Sequence, residues 1–551
     1  MQRWFGFALM VIAQVATASV NTVVHSLLDQ QVTLMVPEQQ RVWQSVKRVY
    51  AQHDQIVTWR QSAGLFWFEQ GVLTDDAKQV LTELNNVDQH GLRRLDYRLQ
   101  HLPDAQQLTT ATPEQLARAD IDITAGLLAY VRAQSDGRIE PYEVDQSVDN
   151  IIDLTVPEVD PVRFMQRLFM QGASKVLAQL EPQHEQYQRL KSAYQFYDAL
   201  AQQPALPELT IRQTLKAGQP APMDELALLQ RYLQREHFLS ADVVVDDYDS
   251  LVNAVIDYQA RHGLETDGMV GPGTVAALNR PLRNKLQQIA INMDRWRWLP
   301  QRMGTKHILV NIPEYRLRLY TKGELDREMD VIVGKQVHPT PVFNDQVTYI
   351  AFSPYWNVPR SILMRTLMPR FRQDADYFNT NQYEVIDNGR VLSAQQVQQI
   401  NRQGSFPYRV RQKPGINNAL GQVKFMFPNE HAIYLHDTPA RELFSQTRRS
   451  FSSGCIRVKE PVDLAQWLLA DQPQWTEARI KSAMTQDQPV NVNLPQKVPV
   501  YLIYLTTFVD GPDVNKHSQP SPTPVVYFLP DIYQHDEVAK QLLAQDYSVR
   551  Q

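Results

Sequence analysis

A single cysteine, Cys455, stands in this chain of 551 residues, and His436 lies upstream of it within a run of otherwise apolar residues. A thiol ionises too weakly at neutral pH to be a strong nucleophile unless a base, a cation or a helix N-terminus lies beside it. His436 can supply the base, and Arg457, two positions after the cysteine, adds positive potential. In the segment Ser452-Ser453-Gly454-Cys455-Ile456-Arg457-Val458, Gly454 permits a tight turn whose consecutive N–H groups can converge on an anion. That is the requirement for holding the oxyanion of an acyl-transfer intermediate. The histidine closes the run Ala432-Ile433-Tyr434-Leu435-His436. Alternation along a strand puts Ile433 and Leu435 on one face and Tyr434 and His436 on the other. The apolar pair goes to the core, so His436 is expected at the strand end, facing away from the core and open to solvent or substrate. The turn formers Asp437-Thr438-Pro439 follow.

Rival chemistries lack their residues. One cysteine closes no intramolecular disulfide, and a thiolate zinc site needs further Cys or His ligands at regular spacing. There is no His-Glu-x-x-His run and no Ser-x-x-Lys nucleophile. His431 and His436 fall an odd number of positions apart on one strand and would point to opposite faces. Neither a metal nor any other cofactor is called for. A formal charge of −5 gives no strongly basic face, so nucleic acid is not an expected partner. At the N-terminus, Gln2-Arg3, the apolar stretch Trp4 to Ala13 and the small residues Ala16-Thr17-Ala18 read as a secretory signal peptide over 1–18, with an uncleaved membrane anchor as the alternative. Export makes a lone cysteine informative, because oxidising compartments favour paired ones.

The elements that must position this pair read as a multidomain α+β chain. Residues 30–216 are patterned as amphipathic helices, a scaffold domain with no catalytic constellation. Residues 220–284 read as a small three-helix domain with helices at Leu226 to Arg235, Leu251 to His262 and Gly273 to Asn279. A connector at 285–304 contains NMDRWRWLP, where Trp296 and Trp298 at period two predict an extended segment packed on a neighbour. From 305 to 540 the texture is β-rich, interrupted at about 363–421 by a polar, partly helical insertion. Strands resume at Gln422 to Phe427 and at the His436 run, a helix follows at Pro461 to Leu469, and Val498 to Val509 and Val525 to Leu529 supply the last strand-like runs.

Several of these segments resemble known families. Gln259 to Leu278, QARHGLETDGMVGPGTVAAL, resembles the small peptidoglycan-binding module of wall enzymes. HDT at 436–438 with SSGCIRV at 452–458, together with ILVNIP at 308–313, VIVGKQVHPTP at 331–341 and NVP at 357–359, resembles the L,D-transpeptidase family with its YkuD-type catalytic domain. The likeness is nearest to the large Gram-negative periplasmic enzymes of the YcbB type. Two departures stand out. Ser453 occupies a position where many relatives have His, and Asp437 one where many have Gly.

The resemblance implies Cys455 as nucleophile, His436 as base, the Asp437 backbone carbonyl as the group orienting His436, and the N–H groups of Gly454 and Cys455 as oxyanion donors. It implies Tyr434, Arg457, Ser452 and Ser453 as substrate-binding residues. The implied reaction attacks the diaminopimelate–D-alanine bond of a tetrapeptide stem, releases D-alanine and joins the acyl group to a second stem amine in a 3→3 cross-link, with carbapenems as inhibitors. The implied partners are peptidoglycan stem peptides, glycan strands and other wall-synthesis enzymes, and the implied location is the periplasm. Hydrolysis, lipoprotein attachment and D-amino-acid exchange remain open as uses of the same acyl-enzyme, and a non-catalytic wall-binding scaffold is the alternative of another class. The insertion at 363–421 is expected either to cap the donor groove as a closing loop or to elaborate the fold.

Overall fold

The computed structural model describes residues 22–29, 37–57, 64–93, 111–145, 159–243, 245–510 and 524–548, so the expected signal peptide lies outside them. The chain divides into two compact units, one holding the helical regions up to Arg302 and the chain from Thr506 onward, the other holding Met303–Leu505. Among the described residues no helix is long and apolar enough to cross a membrane.

In the helical unit the longest helix is Pro113–Ser135, started by a reciprocal capping box between Thr112 and Gln115 with Pro113 in its first turn. It is buried on most sides, and this puts Asp120 in the interior. The cost is met by donors: the Asp120 carboxylate accepts from the Tyr50 hydroxyl at 2.5 Å, the Trp67 N–H at 2.7 Å and the Phe66 N–H at 3.1 Å. Burial still raises its pKa to about 6. The three-helix region forms as expected, with helices Met223–Arg235, Val252–Arg261 and Pro272–Leu278. Its tight turn is held by Gln259, whose amide accepts from the Gly268 N–H at 2.9 Å and donates to Asp267 at 2.9 Å.

Two expectations fail in this unit. The connector is no extended segment: Leu282–Arg297 is a helix, and Trp298 is its C-cap. The period-two tryptophans misled because the helix is buried all round from Ile291 onward, so its polar residues there do not mark an exposed face. Arg297, 1% exposed, donates to the His90 carbonyl at 2.7 Å and the Tyr187 hydroxyl at 2.9 Å, while Asp294 accepts from the Arg138 and Ile139 N–H groups. Of the late strand-like runs, only Val498–Ile503 joins the large sheet. Thr507–Asp510 and Val525–Phe528 pair with each other within the helical unit.

The other unit is built on nine strands: β1 Lys306–Asn311, β2 Arg316–Thr321, β3 Glu324–Gly334, β4 Phe343–Phe352, β9 Val423–Met426, β10 Leu435–His436, β11 Ser450–Ser452, β12 Ile456–Val458 and β13 Val490–Ile503. Their order is β11-β3-β12-β10-β9-β4-β13-β1-β2. The long β3 also pairs with β2 along its N-terminal half, so the ladder closes on itself and leaves little free edge. β13 carries Pro495 and Pro499, and its register against β4 shifts between Asn493 and Val498, as expected where a residue lacks the N–H a ladder needs.

The insertion is a subdomain of its own. β5 Trp356–Asn357, β6 Tyr383–Asp387, β7 Arg390–Val391 and β8 Arg409–Gln412 form a four-stranded sheet in the order β5-β8-β6-β7. Leu363, Phe371, Phe378, Phe406 and Val410 are among the side chains of its separate core. This sheet begins at Trp356, ahead of the expected start at Leu363, because β5 pairs with β8 rather than extending β4.

Candidate active site

Three adjacent strands assemble the site. β9 lies antiparallel to β10, with Lys424 opposite His436, and β10 lies parallel to β12, with His436 opposite Arg457. Directly paired residues share a face, so Lys424, His436 and Arg457 form a row across the sheet, and Tyr434 and Cys455 occupy the next row of that face. Leu435, Ile456 and Phe425 turn to the core on the other side. The Ile456 N–H donates to the Tyr434 carbonyl at 3.1 Å, which carries the pairing up to the cysteine. Side chains two positions apart on neighbouring strands have Cα atoms about 7–8 Å apart, within reach of one another for long and aromatic groups.

The nucleophile turn is braced from several directions. The Ser452 hydroxyl donates to the Cys455 carbonyl at 2.5 Å and accepts from the Gly454 N–H at 3.1 Å. Gly454 has φ +114°, and a Cβ there would press on the Ile433 side chain at 3.2 Å, so glycine is required. Thr340, fully buried, accepts from the Gly334 N–H at 2.8 Å and donates to the Gly454 carbonyl at 2.7 Å, tying the end of β3 to the turn. Asp330 on β3 receives Arg449 at 3.0 Å and Lys459 at 2.9 Å, one cation from each flank of the turn. Replacing Thr340 by Val keeps the shape and strips both bonds. The loss is expected to be about 1–3 kcal/mol, from removing two buried hydrogen bonds, read as a lower urea midpoint with an altered rate of Cys455 alkylation by iodoacetamide.

Hydrogen bonds within the turn occupy two of the expected site groups. Ser452 is 2% exposed, and its hydroxyl is bonded inside the turn, where it braces Cys455. The Gly454 N–H is committed to Ser452, which leaves the Ser453 and Cys455 N–H groups as the unbonded donors of the turn among the described residues. Ser453 is exposed.

His436 is buried, 4% exposed, rather than open to solvent as its strand face suggested. Tyr434 covers it with ring centroids 5.7 Å apart, and the carbonyls of Asp437 and Leu420 face the ring. Its Nδ1 lies 2.5 Å from the Asp437 carbonyl oxygen. A carbonyl can only accept, so Nδ1 carries the proton and the lone pair is on Nε2. The Asp437 side chain has a separate task. It accepts from the Gln422 N–H at 2.9 Å and from Arg441 at 3.2 Å, and it fits only because residue 421 is Gly: a Cβ there would sit 2.5 Å from that of Asp437.

The thiol of Cys455 is half-buried, its Sγ 3.6 Å from the Ala432 carbonyl. Ala432 has φ +55°, an uncommon conformation for a residue with a side chain, and Asn429 holds the loop by bonding Phe427 and Ile433 backbone on either side of it. Burial raises the thiol pKa above its ordinary 9.0, opposed by the Tyr434 N–H and hydroxyl and by Lys424 and Arg457. Burial, with the Arg457 charge, lowers His436 to about 3. At neutral pH the resting pair is therefore an uncharged thiol and an uncharged imidazole, suited to general-base activation at the moment of attack. Among the described residues no group of His, Cys, Asp and Glu could hold a metal ion.

Sequence reasoning missed Thr340, Gly421 and Lys424. Thr340 lay within the quoted VIVGKQVHPTP segment, but nothing local marks its partner more than a hundred residues away. Lys424 was visible only as one polar residue in an alternating strand.

Residues 305–492 match the YkuD family, described as "L,D-transpeptidase catalytic domain". Residues 44–193 match a family described as "Scaffold domain", and 222–278 one described as "Putative peptidoglycan binding domain". A Haemophilus influenzae protein named "Putative L,D-transpeptidase" is 35% identical over 254 residues, covering 46% of this chain and 49% of the relative. The chain thus spans about half the length of that relative. A crystal structure of an L,D-transpeptidase from Xylanimonas cellulosilytica is matched over 55% of this chain and 100% of that one, at 15% identity and a TM-score of 0.16, a superposition too loose to bear on the fold.

Proposed function

We propose that this protein, whose residues 305–492 match the YkuD L,D-transpeptidase catalytic-domain family, is a cysteine acyltransferase of the bacterial cell wall, acting in the periplasm on the stem peptides of peptidoglycan. The observation that supports the reading is the row across β9, β10 and β12, which sets the His436 imidazole, its Nδ1 on the Asp437 carbonyl, on the same face as the chain's one thiol.

The reaction runs in two halves. His436 Nε2 takes the Cys455 proton as sulfur attacks the carbonyl on the L-centre of diaminopimelate in a tetrapeptide stem. The oxyanion is held by N–H groups of the Ser453–Cys455 turn. As the carbon–nitrogen bond breaks, the imidazolium returns its proton to the nitrogen, and D-alanine leaves from a thioester. The side-chain amine of a second diaminopimelate then attacks the thioester, losing its proton to His436, and the sulfur departs and is reprotonated. The product is a 3→3 cross-link. The match of residues 222–278 to a peptidoglycan-binding family supports anchoring to the same polymer.

The test is incubation of the purified protein with disaccharide-tetrapeptide stems and mass spectrometry of the products. Dimers that have lost one D-alanine are expected. A tripeptide product alone would make the protein a carboxypeptidase, and no change in the stems would leave only a wall-binding scaffold.

A further inference from the structure

The row that holds His436 is flanked by two cations with no anion to meet. Lys424 stands opposite His436 on one side and Arg457 opposite it on the other. The Lys424 side chain is half-buried with its ammonium over the Tyr434 ring, 4.6 Å from the centroid, and it hydrogen-bonds to nothing among the described residues. Arg457 is half-buried too, and its Nε is a buried donor without a partner. The acid that bears on Arg457 is Glu442, at a distance that makes no ion pair, and the charge that bears on Lys424 is that of Cys455 itself. With the thiol protonated at rest, two positive charges share a partly dehydrated face uncompensated. Other clustered cations of this unit are matched: Arg449 and Lys459 bond Asp330, Arg318 bonds Glu314, and Arg411 bonds Glu384. Unmatched, dehydrated cations are costly unless a ligand supplies the counter-charge.

The reaction proposed above, on which this inference rests, brings such a charge. When the leaving residue is the last of the peptide, its α-carboxylate carbon is three bonds from the carbonyl under attack, about 3.8 Å away if extended, by ordinary backbone dimensions. A carbonyl set for attack on Cys455 therefore carries that carboxylate into the neighbourhood of Lys424 and Arg457, both of which feel the charge of Cys455.

We propose that Lys424, together with Arg457, is the clamp for the free α-carboxylate of the leaving residue, and that Lys424 thereby makes the protein select donors whose chain ends one residue beyond the bond it breaks. A longer peptide, or a stem already bonded at that carboxyl, lacks the charge and brings a neutral amide to two cations.

The experiment compares a tetrapeptide donor bearing a free C-terminal carboxylate with the same peptide as its C-terminal amide. The readout is the ratio of kcat/KM for release of the last residue. For the unaltered protein the acid is expected to be preferred by on the order of 10–100-fold, the range of a charge-assisted hydrogen bond. In Lys424→Met, which keeps the length and apolar stem, the ratio is expected to fall to within about 3-fold of unity, with Lys424→Arg restoring most of it. A role confined to the thiol or the oxyanion would slow both donors alike and leave the ratio unchanged. That outcome, or a variant indistinguishable from the unaltered protein, overturns the clamp alone. Cleavage of neither donor by the unaltered protein overturns the transferase reading and the clamp with it. A urea midpoint equal to that of the unaltered protein shows that the variants are folded.

Discussion

Cys455→Ala is expected to release no D-alanine from tetrapeptide stems and to gain no mass on exposure to a carbapenem, whereas the unaltered protein gains one drug molecule. The chain has no second thiol to substitute, so any covalent adduct through sulfur must form at this position. Without a nucleophile the turn and the imidazole can only orient the peptide. The loss of turnover should therefore reach at least about 10⁴-fold, the scale seen when the nucleophile of a concerted constellation is removed. Folding is not at issue: the cysteine is small and half-buried, and its thiol donates only a long contact of 3.6 Å to the Ala432 carbonyl. An unchanged melting temperature alongside silent chemistry separates the two effects. A carbapenem adduct on the alanine variant, seen by intact-protein mass spectrometry, would remove Cys455 from the reaction.

The second large effect belongs to His436 and reveals itself through pH. Because the folded-state imidazole titrates near 3 and the thiol above 9.0, neither changes charge across the neutral range. The rate of the unaltered protein should stay level between about pH 5 and 8, without the step near 6.5 that an ordinary histidine base would give. His436→Gln should lower kcat/KM by about 10²–10⁴-fold and turn the level profile into a slope of roughly tenfold per pH unit, since only spontaneously formed thiolate can then attack. Stability follows the same shift with a definite sign. The unfolded chain binds a proton on this ring below 6.5 and the folded one does not until about 3, so stability is complete above 6.5 and falls as the pH drops through that window. The urea midpoint measured at pH 5 and 7 should separate less in the Gln variant. A step in activity at pH 6 to 7 in the unaltered protein would contradict the neutral pair.

What could be read in advance follows the range over which each cause acts. The alternation of Ile433 to His436 announces a strand, and a glycine before a lone cysteine announces a turn, because both signals are local. The orientation of His436 by the Asp437 carbonyl came from the family resemblance and is the geometry found. Burial of His436 was not legible, since what covers it arrives from Tyr434 and from Leu420 at the end of the inserted subdomain. The helix at Leu282–Arg297 was misread for a related reason: its charged residues are paired across the interior with Gln134, Tyr187 and Asp536, none near it in sequence. The bracing of the turn by Ser452 was not legible, because a serine beside a nucleophile is ambiguous until its hydroxyl is located.

The four-stranded sheet of the insertion departs after Phe352 and returns before Val423, and these two residues face one another in the β4–β9 ladder, with the Ser353 N–H bonded to the Gln422 carbonyl at 2.8 Å. The whole excursion thus hangs from one corner of the barrel, like a flag on a single hinge. Its removal would ask of the strands no more than a hairpin's turn, but it would take away the Leu420 carbonyl that faces the His436 ring and the Gln422 N–H that holds the Asp437 carboxylate.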